Sequence, residues 1–60
     1  MKKIVILGAG ESGTGAAILA QSKGMDVFVS DRGSIAPMYQ ALLNQHQIKW
    51  EEGQHTTEKI

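Results

Sequence analysis

The segment GAGESG, residues 8–13, carries the residue pattern in this chain that could bind a ligand. It follows the apolar run Ile4–Leu7 and leads into an alanine-rich stretch, so it joins a buried strand to a helix. In such a turn Gly8 permits the sharp bend, Gly10 lets a phosphate approach the backbone, and Gly13 lets the helix pack against the strand. The helix N-terminus then offers free N–H groups and a partial positive charge to an anion. The pattern predicts a nucleotide or phosphate site; the alternative is a tight turn whose glycines serve packing alone.

Four further side chains are candidates for the same site. The Ser12 hydroxyl could donate a hydrogen bond to a phosphate. The Glu11 carboxylate would repel a phosphate unless it points away or bonds a hydroxyl or a base, and it would also favour the helix dipole. Asp31 lies 18 residues after Gly13, where an acid bonds the ribose in dinucleotide-binding folds; alternatively it only begins a turn. Its neighbour Arg32 could meet a phosphate or lie exposed.

The elements that would position these residues alternate between strand and helix. Strands are predicted at Lys2–Leu7, Asp26–Ser30 with Asp31 at its end, and Ile48–Glu51 before Gly53; helices are predicted at Glu11–Lys23, closed by Gly24, and Ala36–His46, opened by Pro37. Thr56 or Thr57 could cap a third helix. The order predicts an α/β fold, a Rossmann-like parallel sheet that forms a β-α-β-α-β fragment of a three-layer sandwich.

The remaining large side chains are interpreted as structural. Met38 and Tyr39 lie on the apolar face of the second helix, so both are predicted to be core residues. His46 ends that face and is interpreted as an edge-packing or helix-terminal residue. Trp50 is predicted to pack in the core rather than to stack on a ligand. His55 follows the third strand, where α/β sites form, and it is a weaker candidate for a functional residue.

Composition excludes several other classes of protein. The 60 residues carry six basic and six acidic side chains, so no basic face for nucleic acid is indicated. The chain has no cysteine, which excludes disulfides and thiolate metal sites and fits a cytoplasmic protein. The apolar run after Lys2 and Lys3 is too short for a signal peptide or a membrane span. We expect residues 1–60 to be a truncated N-terminal domain that self-associates through exposed sheet surface and unpaired edges.

With these residues placed, the chain resembles the N-terminal domain of the Mur ligase family. The resemblance covers essentially all 60 residues and is carried by KKIVILGAGESGTGAA, by VFVSD ending in Asp31, and by WEEGQH around Gly53 and His55. It implies a Rossmann-like domain that binds the uridine-diphosphate part of the substrate and does not bind NAD. Some members have Asp-Thr-Arg after the second strand, whereas this chain has Asp31-Arg32-Gly33, so only the aspartate carries over. Glu11 replaces an apolar residue of some members.

The resemblance also implies which residues meet the substrate. The turn from Gly10 to Gly13, with Ser12, would face the diphosphate, and Asp31 would bond the uracil end. The implied substrates are UDP-N-acetylmuramoyl-L-alanine and D-glutamate, joined in the full-length enzyme by amide-bond formation through an acyl phosphate. The ATP and magnesium for that step would bind in a central domain outside these residues. The implied role is in peptidoglycan precursor synthesis, and hence in cell-wall growth and division.

Two other functions compete with this interpretation. The glycine turn and Asp31 are also what a NAD(H)-binding module of an oxidoreductase or of an ion-transport regulatory protein requires. A self-associating α/β fragment without any ligand is the third possibility. The sequence shows no nucleophile paired with a base and no Gly-Lys-Ser/Thr loop. It also shows no pair of carboxylates for which a catalytic geometry can be argued. We therefore expect these residues to bind rather than to catalyse.

Overall fold

A computed structural model describes residues 2–53 of the chain. Its elements alternate as predicted: β1 is Lys3–Leu7, α1 is Glu11–Ser22, β2 is Asp26–Asp31, α2 is Pro37–Gln45 and β3 is Lys49–Glu52. Each boundary falls within one residue of the sequence-based prediction. The predicted third helix at Thr56 or Thr57 lies outside the described residues.

The three strands form one parallel sheet in the order β1-β2-β3. The central strand β2 pairs Val29 with Ile6 on one side and with Trp50 on the other. Side chains of paired residues point to the same face of a sheet, so these three form one row. The predicted Rossmann-like β-α-β-α-β order is confirmed.

Both helices cover the face that carries this row. A Cβ atom at Gly13 in α1 would lie 3.5 Å from Cγ2 of Ile6, and the Trp50 indole Nε1 donates to Oδ1 of Asn44 in α2 at 2.9 Å. The Gln21 amide of α1 also donates to the His46 carbonyl, which follows α2. Residues 2–53 therefore form two layers of an α/β sandwich, with Val5, Leu7 and Phe28 on the opposite face of the sheet.

The core between these layers is built from small and β-branched side chains. Its buried apolar members are Ala9, Ala17, Ala20, Val27, Val29, Ile35, Leu43 and Ile48. Tyr39 and Trp50 pack against this core and are partly buried, as expected. Met38 does not, since 64% of its surface is exposed, so the prediction that it is a core residue is wrong. Met38 is turned about 100° around the helix from Tyr39, which carries it off the buried face.

The helix ends explain how each crossover returns to the sheet. After α1, Gly24 (φ 83°) donates to the Gln21 carbonyl and Met25 to the Ala20 carbonyl. This pair of bonds is a Schellman motif, and it confirms the predicted C-terminal glycine. After α2 the same motif recurs with Gln47 at the left-handed position, φ 58°. The residue type of Gln47 does not predict this conformation, which glycine adopts most readily.

Candidate functional site

The glycine turn between β1 and α1 has the tight geometry expected of it. Gly8 has φ 101°, a conformation that favours glycine, and its N–H donates to the Ser30 carbonyl of β2 at 2.8 Å. A Cβ atom at Gly13 would lie 2.0 Å from the Gly8 carbonyl oxygen. No side chain can occupy that position, so the predicted packing role of Gly13 is confirmed.

Gly10 leaves space beside the backbone at the start of α1. It is the N-cap of α1, and no side chain caps the helix there. A Cβ atom built on Gly10 would meet nothing within 4 Å. The first helical hydrogen bond in this turn joins the Thr14 N–H to the Gly10 carbonyl at 2.9 Å. The N–H groups of residues 11–13 precede it and have no partner within the helix, so they can receive an anion.

Thr14 is a buried residue that stabilises the glycine turn. Its side chain is 2% exposed, and its Oγ1 donates to the Ala9 carbonyl at 3.2 Å. The bond ties the first turn of α1 to the loop that precedes it. Sequence reasoning did not single out Thr14, although a hydroxyl residue directly after the third glycine is a signal that could have identified it.

Asp31 connects the two loops at this edge of the sheet. Its Oδ2 accepts the Ala9 N–H of the glycine turn at 2.8 Å. Its Oδ1 accepts the N–H of Gly33, in the loop before α2, at 2.8 Å. The carboxylate thus holds both loops in place, and it also begins a turn of its own as the alternative interpretation required. Whether Asp31 also contacts a ligand stays a prediction.

The other predicted site residues are brought to the same edge but point to solvent. Ser12, Glu11 and Arg32 are all exposed. Glu11 lies in the first turn of α1, where its charge favours the helix dipole. The predicted site residues carry two carboxylates, on Glu11 and Asp31, and one guanidinium, on Arg32. An anion here would therefore depend on the backbone N–H groups more than on side-chain charge.

Glu52, at the end of β3, is a residue of this edge that sequence reasoning missed. Its Oε1 accepts the Ile35 N–H and the Gln40 side-chain amide, both at 2.9 Å. Glu52 pairs in register with Asp31, which lies two residues after Val29 on β2 and therefore on the same face of the sheet. Glu52 thus belongs to the face that the helices cover. A carboxylate at the carboxyl end of a parallel strand is the signal that could have identified it, since ligand sites of such sheets form there.

An open cavity of about 660 Å³ lies elsewhere, beside the end of α2 and the start of β3. Its lining residues are Phe28, Asn44, Gln47, Ile48, Lys49 and Trp50. None of the predicted site residues lines it. His46, next to this region, is the C-cap of α2, in keeping with its predicted helix-terminal role. His55 lies outside the described residues.

Residues 2–53 show no metal-binding cluster and no membrane-spanning helix. They contain no cluster of three or more His, Cys, Asp or Glu side chains that could hold a metal ion. Over the same residues, no helix has the length and apolar character needed to cross a bilayer. What the edge of the sheet offers chemically is the set of N–H groups at the start of α1, which could accept an anion.

Comparison with known proteins gives consistent matches over nearly the whole chain. The family model described as the MurD N-terminal domain matches residues 3–60. The chain is 62% identical over all 60 residues to a UDP-N-acetylmuramoylalanine–D-glutamate ligase of Bacteroides fragilis and to one of Bacteroides thetaiotaomicron. It is 66% identical over 53 residues, 88% of the chain, to the ligase of that name from Porphyromonas gingivalis.

The matches cover only a small part of these relatives. The chain spans 14% of each Bacteroides ligase and 12% of the Porphyromonas ligase. No solved structure gives a significant match. The relatives therefore establish the family of residues 3–60, while their activity concerns proteins about seven times longer.

Proposed function

The chain belongs to the MurD N-terminal domain family, and we propose that it binds the uridine-diphosphate end of UDP-N-acetylmuramoyl-L-alanine. In this proposal the full-length protein is a cytoplasmic ligase that adds D-glutamate to that substrate during peptidoglycan precursor synthesis. The relatives that carry the ligase name support it, since they match the chain at 62% identity over its full length. Residues 1–60 form its N-terminal Rossmann-like domain, or the first part of that domain.

The observation that carries the proposal is the open space over Gly10. The missing Cβ lets a phosphate oxygen come close to the backbone. The N–H groups of residues 11–13 directly follow this N-cap and have no carbonyl partner within the helix. The Ser12 hydroxyl, exposed beside them, can add a donor to a diphosphate. Asp31 fixes the Ala9 N–H and thereby holds this arrangement rigid before a ligand arrives.

The chemical step belongs to other parts of the proposed enzyme. ATP and magnesium would bind outside residues 1–60, because the sequence has no Gly-Lys-Ser/Thr loop. Residues 1–60 would bind the nucleotide end of the substrate and hold its distant carboxylate in register with a catalytic centre elsewhere. Binding energy from such a remote group lowers the barrier by fixing orientation.

Calorimetric titration of the full-length protein tests this proposal. Uridine diphosphate should bind, and NAD should give no heat of binding at the same concentrations. The two nucleotides share a diphosphate, so their comparison tests the uridine end as well as the glycine turn. Binding of NAD without binding of uridine diphosphate would overturn the proposal in favour of a NAD module.

The variant Gly10→Ala locates the binding site. Its methyl group meets no protein atom within 4 Å, so the domain should remain folded, yet it fills the space that a phosphate would use. Affinity for uridine diphosphate should fall about tenfold or more, a loss of roughly 1.4 kcal/mol. The control is Gly15→Ala, the same substitution in the exposed first turns of α1, where a Cβ also meets nothing within 4 Å. Equal affinity of both variants would place the ligand elsewhere.

A further inference from the structure

Residues at the ends of β2 and β3 hold the loop between β2 and α2 in place through hydrogen bonds. Residues 32–34 are all exposed, and Ile35, 3% exposed, is the point at which the loop enters the core. Asp31 bonds the Gly33 N–H at 2.8 Å on the β2 side. On the β3 side, the Gly53 N–H donates to the Gly33 carbonyl at 2.9 Å.

Glu52 completes this attachment from β3. One of its carboxylate oxygens, Oε1, accepts both the Ile35 N–H and the Gln40 amide. Ile35 belongs to the loop and Gln40 to the first turns of α2, so one oxygen joins the end of the loop to the start of the helix. A carboxylate that accepts two N–H donors makes charge-assisted bonds, which are stronger than bonds between neutral groups.

The bonds form a continuous path to the glycine turn. Glu52 fixes Ile35, Gly53 fixes Gly33, Gly33 is bonded to Asp31, and Asp31 holds the N–H of Ala9. The three strand ends and the two loops therefore share one network at the edge where the nucleotide is proposed to bind. Arg32 follows Asp31 directly in the chain and is exposed.

We infer that Glu52 is a positioning residue of the uridine-nucleotide site: it sets the 32–36 loop against the glycine turn and does not itself touch the ligand. The inference rests on the proposed function for the identity of the ligand. A purely structural role, the joining of β3 to α2, is the competing explanation. The two explanations predict different results for a variant that is still folded. Loss of a positioning residue lowers its affinity for the nucleotide, whereas loss of a purely structural contact leaves that affinity unchanged.

Three variants of the full-length protein separate these explanations. Glu52→Gln keeps an acceptor oxygen at the same reach, so the Ile35 bond should persist. Glu52→Ala removes the acceptor, and Glu52→Asp withdraws it by one methylene and serves as the same test if the alanine variant does not fold. The control is Asp26→Ala, which removes an exposed carboxylate at the opposite end of β2.

The probe is uridine diphosphate, measured by calorimetry, together with hydrogen exchange of the Ile35 amide. Glu52→Ala and Glu52→Asp should raise the dissociation constant about tenfold and speed exchange at Ile35. Glu52→Gln should remain within about threefold of the unaltered protein, as should Asp26→Ala. The Michaelis constant for ATP should stay unchanged in all four, because the positioning acts on the nucleotide end of the other substrate.

The outcomes distinguish this inference from the proposed function. If the unaltered protein does not bind uridine diphosphate, the proposed function fails and the ligand role of Glu52 fails with it. If the unaltered protein binds and Glu52→Ala binds equally well, the inference about Glu52 alone is overturned. Faster exchange at Ile35 with unchanged affinity would assign Glu52 the purely structural role.

Discussion

Single backbone positions decide whether the glycine turn can form, and Gly13 is the most restrictive of them. Its hydrogen faces the Gly8 carbonyl oxygen, which a Cβ atom would approach to 2.0 Å. The obstacle is backbone, not the end of a flexible side chain, so a substitution must displace β1 or α1. Gly15, two residues further along the same helix, has no atom within 4 Å of its would-be Cβ. The two glycines are thus opposite in their tolerance of a methyl group.

Gly13→Ala should therefore destabilise the domain by about 3 kcal/mol or more, the upper range for overpacking. Gly15→Ala should stabilise it by up to about 1 kcal/mol, because alanine is the better helix former. Urea unfolding followed by the fluorescence of Trp50, the one tryptophan of the chain, measures both. Equal stability of the two variants would contradict the close approach of α1 to Gly8.

At the scale of the elements, residue type predicted the end of α1 but not the end of α2. Gly24 ends α1 in a Schellman motif, whereas Gln47 takes the same left-handed position after α2 at φ 58°. A residue with a Cβ atom is strained there by roughly 1 kcal/mol. The strain is tolerated because Ile48, 4% exposed, must enter the core directly afterwards.

Gln47→Gly should relieve this strain and stabilise the domain by about 0.5–1 kcal/mol, since glycine adopts φ > 0 freely. The midpoint of urea unfolding, again followed by Trp50, should rise. Gln45→Gly serves as the control, because it places a glycine inside α2 and should lower the midpoint. A lower midpoint for Gln47→Gly would mean that the side chain of Gln47 contributes more than its conformation costs.

These elements also show how much of the fold and of the site could be predicted. Gly24, Pro37 and the apolar runs mark boundaries through local backbone chemistry, so each of the five described elements was predicted to within one residue. The mechanical roles of Gly8 and Gly13 follow from the same local rules. The contacts of Asp31 and Glu52 do not, because they depend on the register that sets Asp31 opposite Glu52.

The two-layer form of residues 2–53 has a consequence for the molecule as a whole. Both helices cover one face of the sheet, and within the described part of the chain no helix covers the other. Leu7, on that second face, is 64% exposed, and Val5 is only partly buried. β1 and β3 are edge strands whose outer backbone groups pair with no other strand among these residues. Exposed apolar sheet surface and open edges favour association with another surface.

We expect the isolated 60-residue chain to self-associate through this second face. Sedimentation equilibrium should give an apparent mass that rises with concentration above the 6.5 kDa of the monomer. Leu7→Gln should weaken the association, because it places a polar group on the open face of the sheet. The matched control is Leu19→Gln: Leu19 is 57% exposed as well, but it belongs to α1 and hence to the helical side. A monomer mass at every concentration, or equal effects of the two substitutions, would show that the open face is not the associating surface.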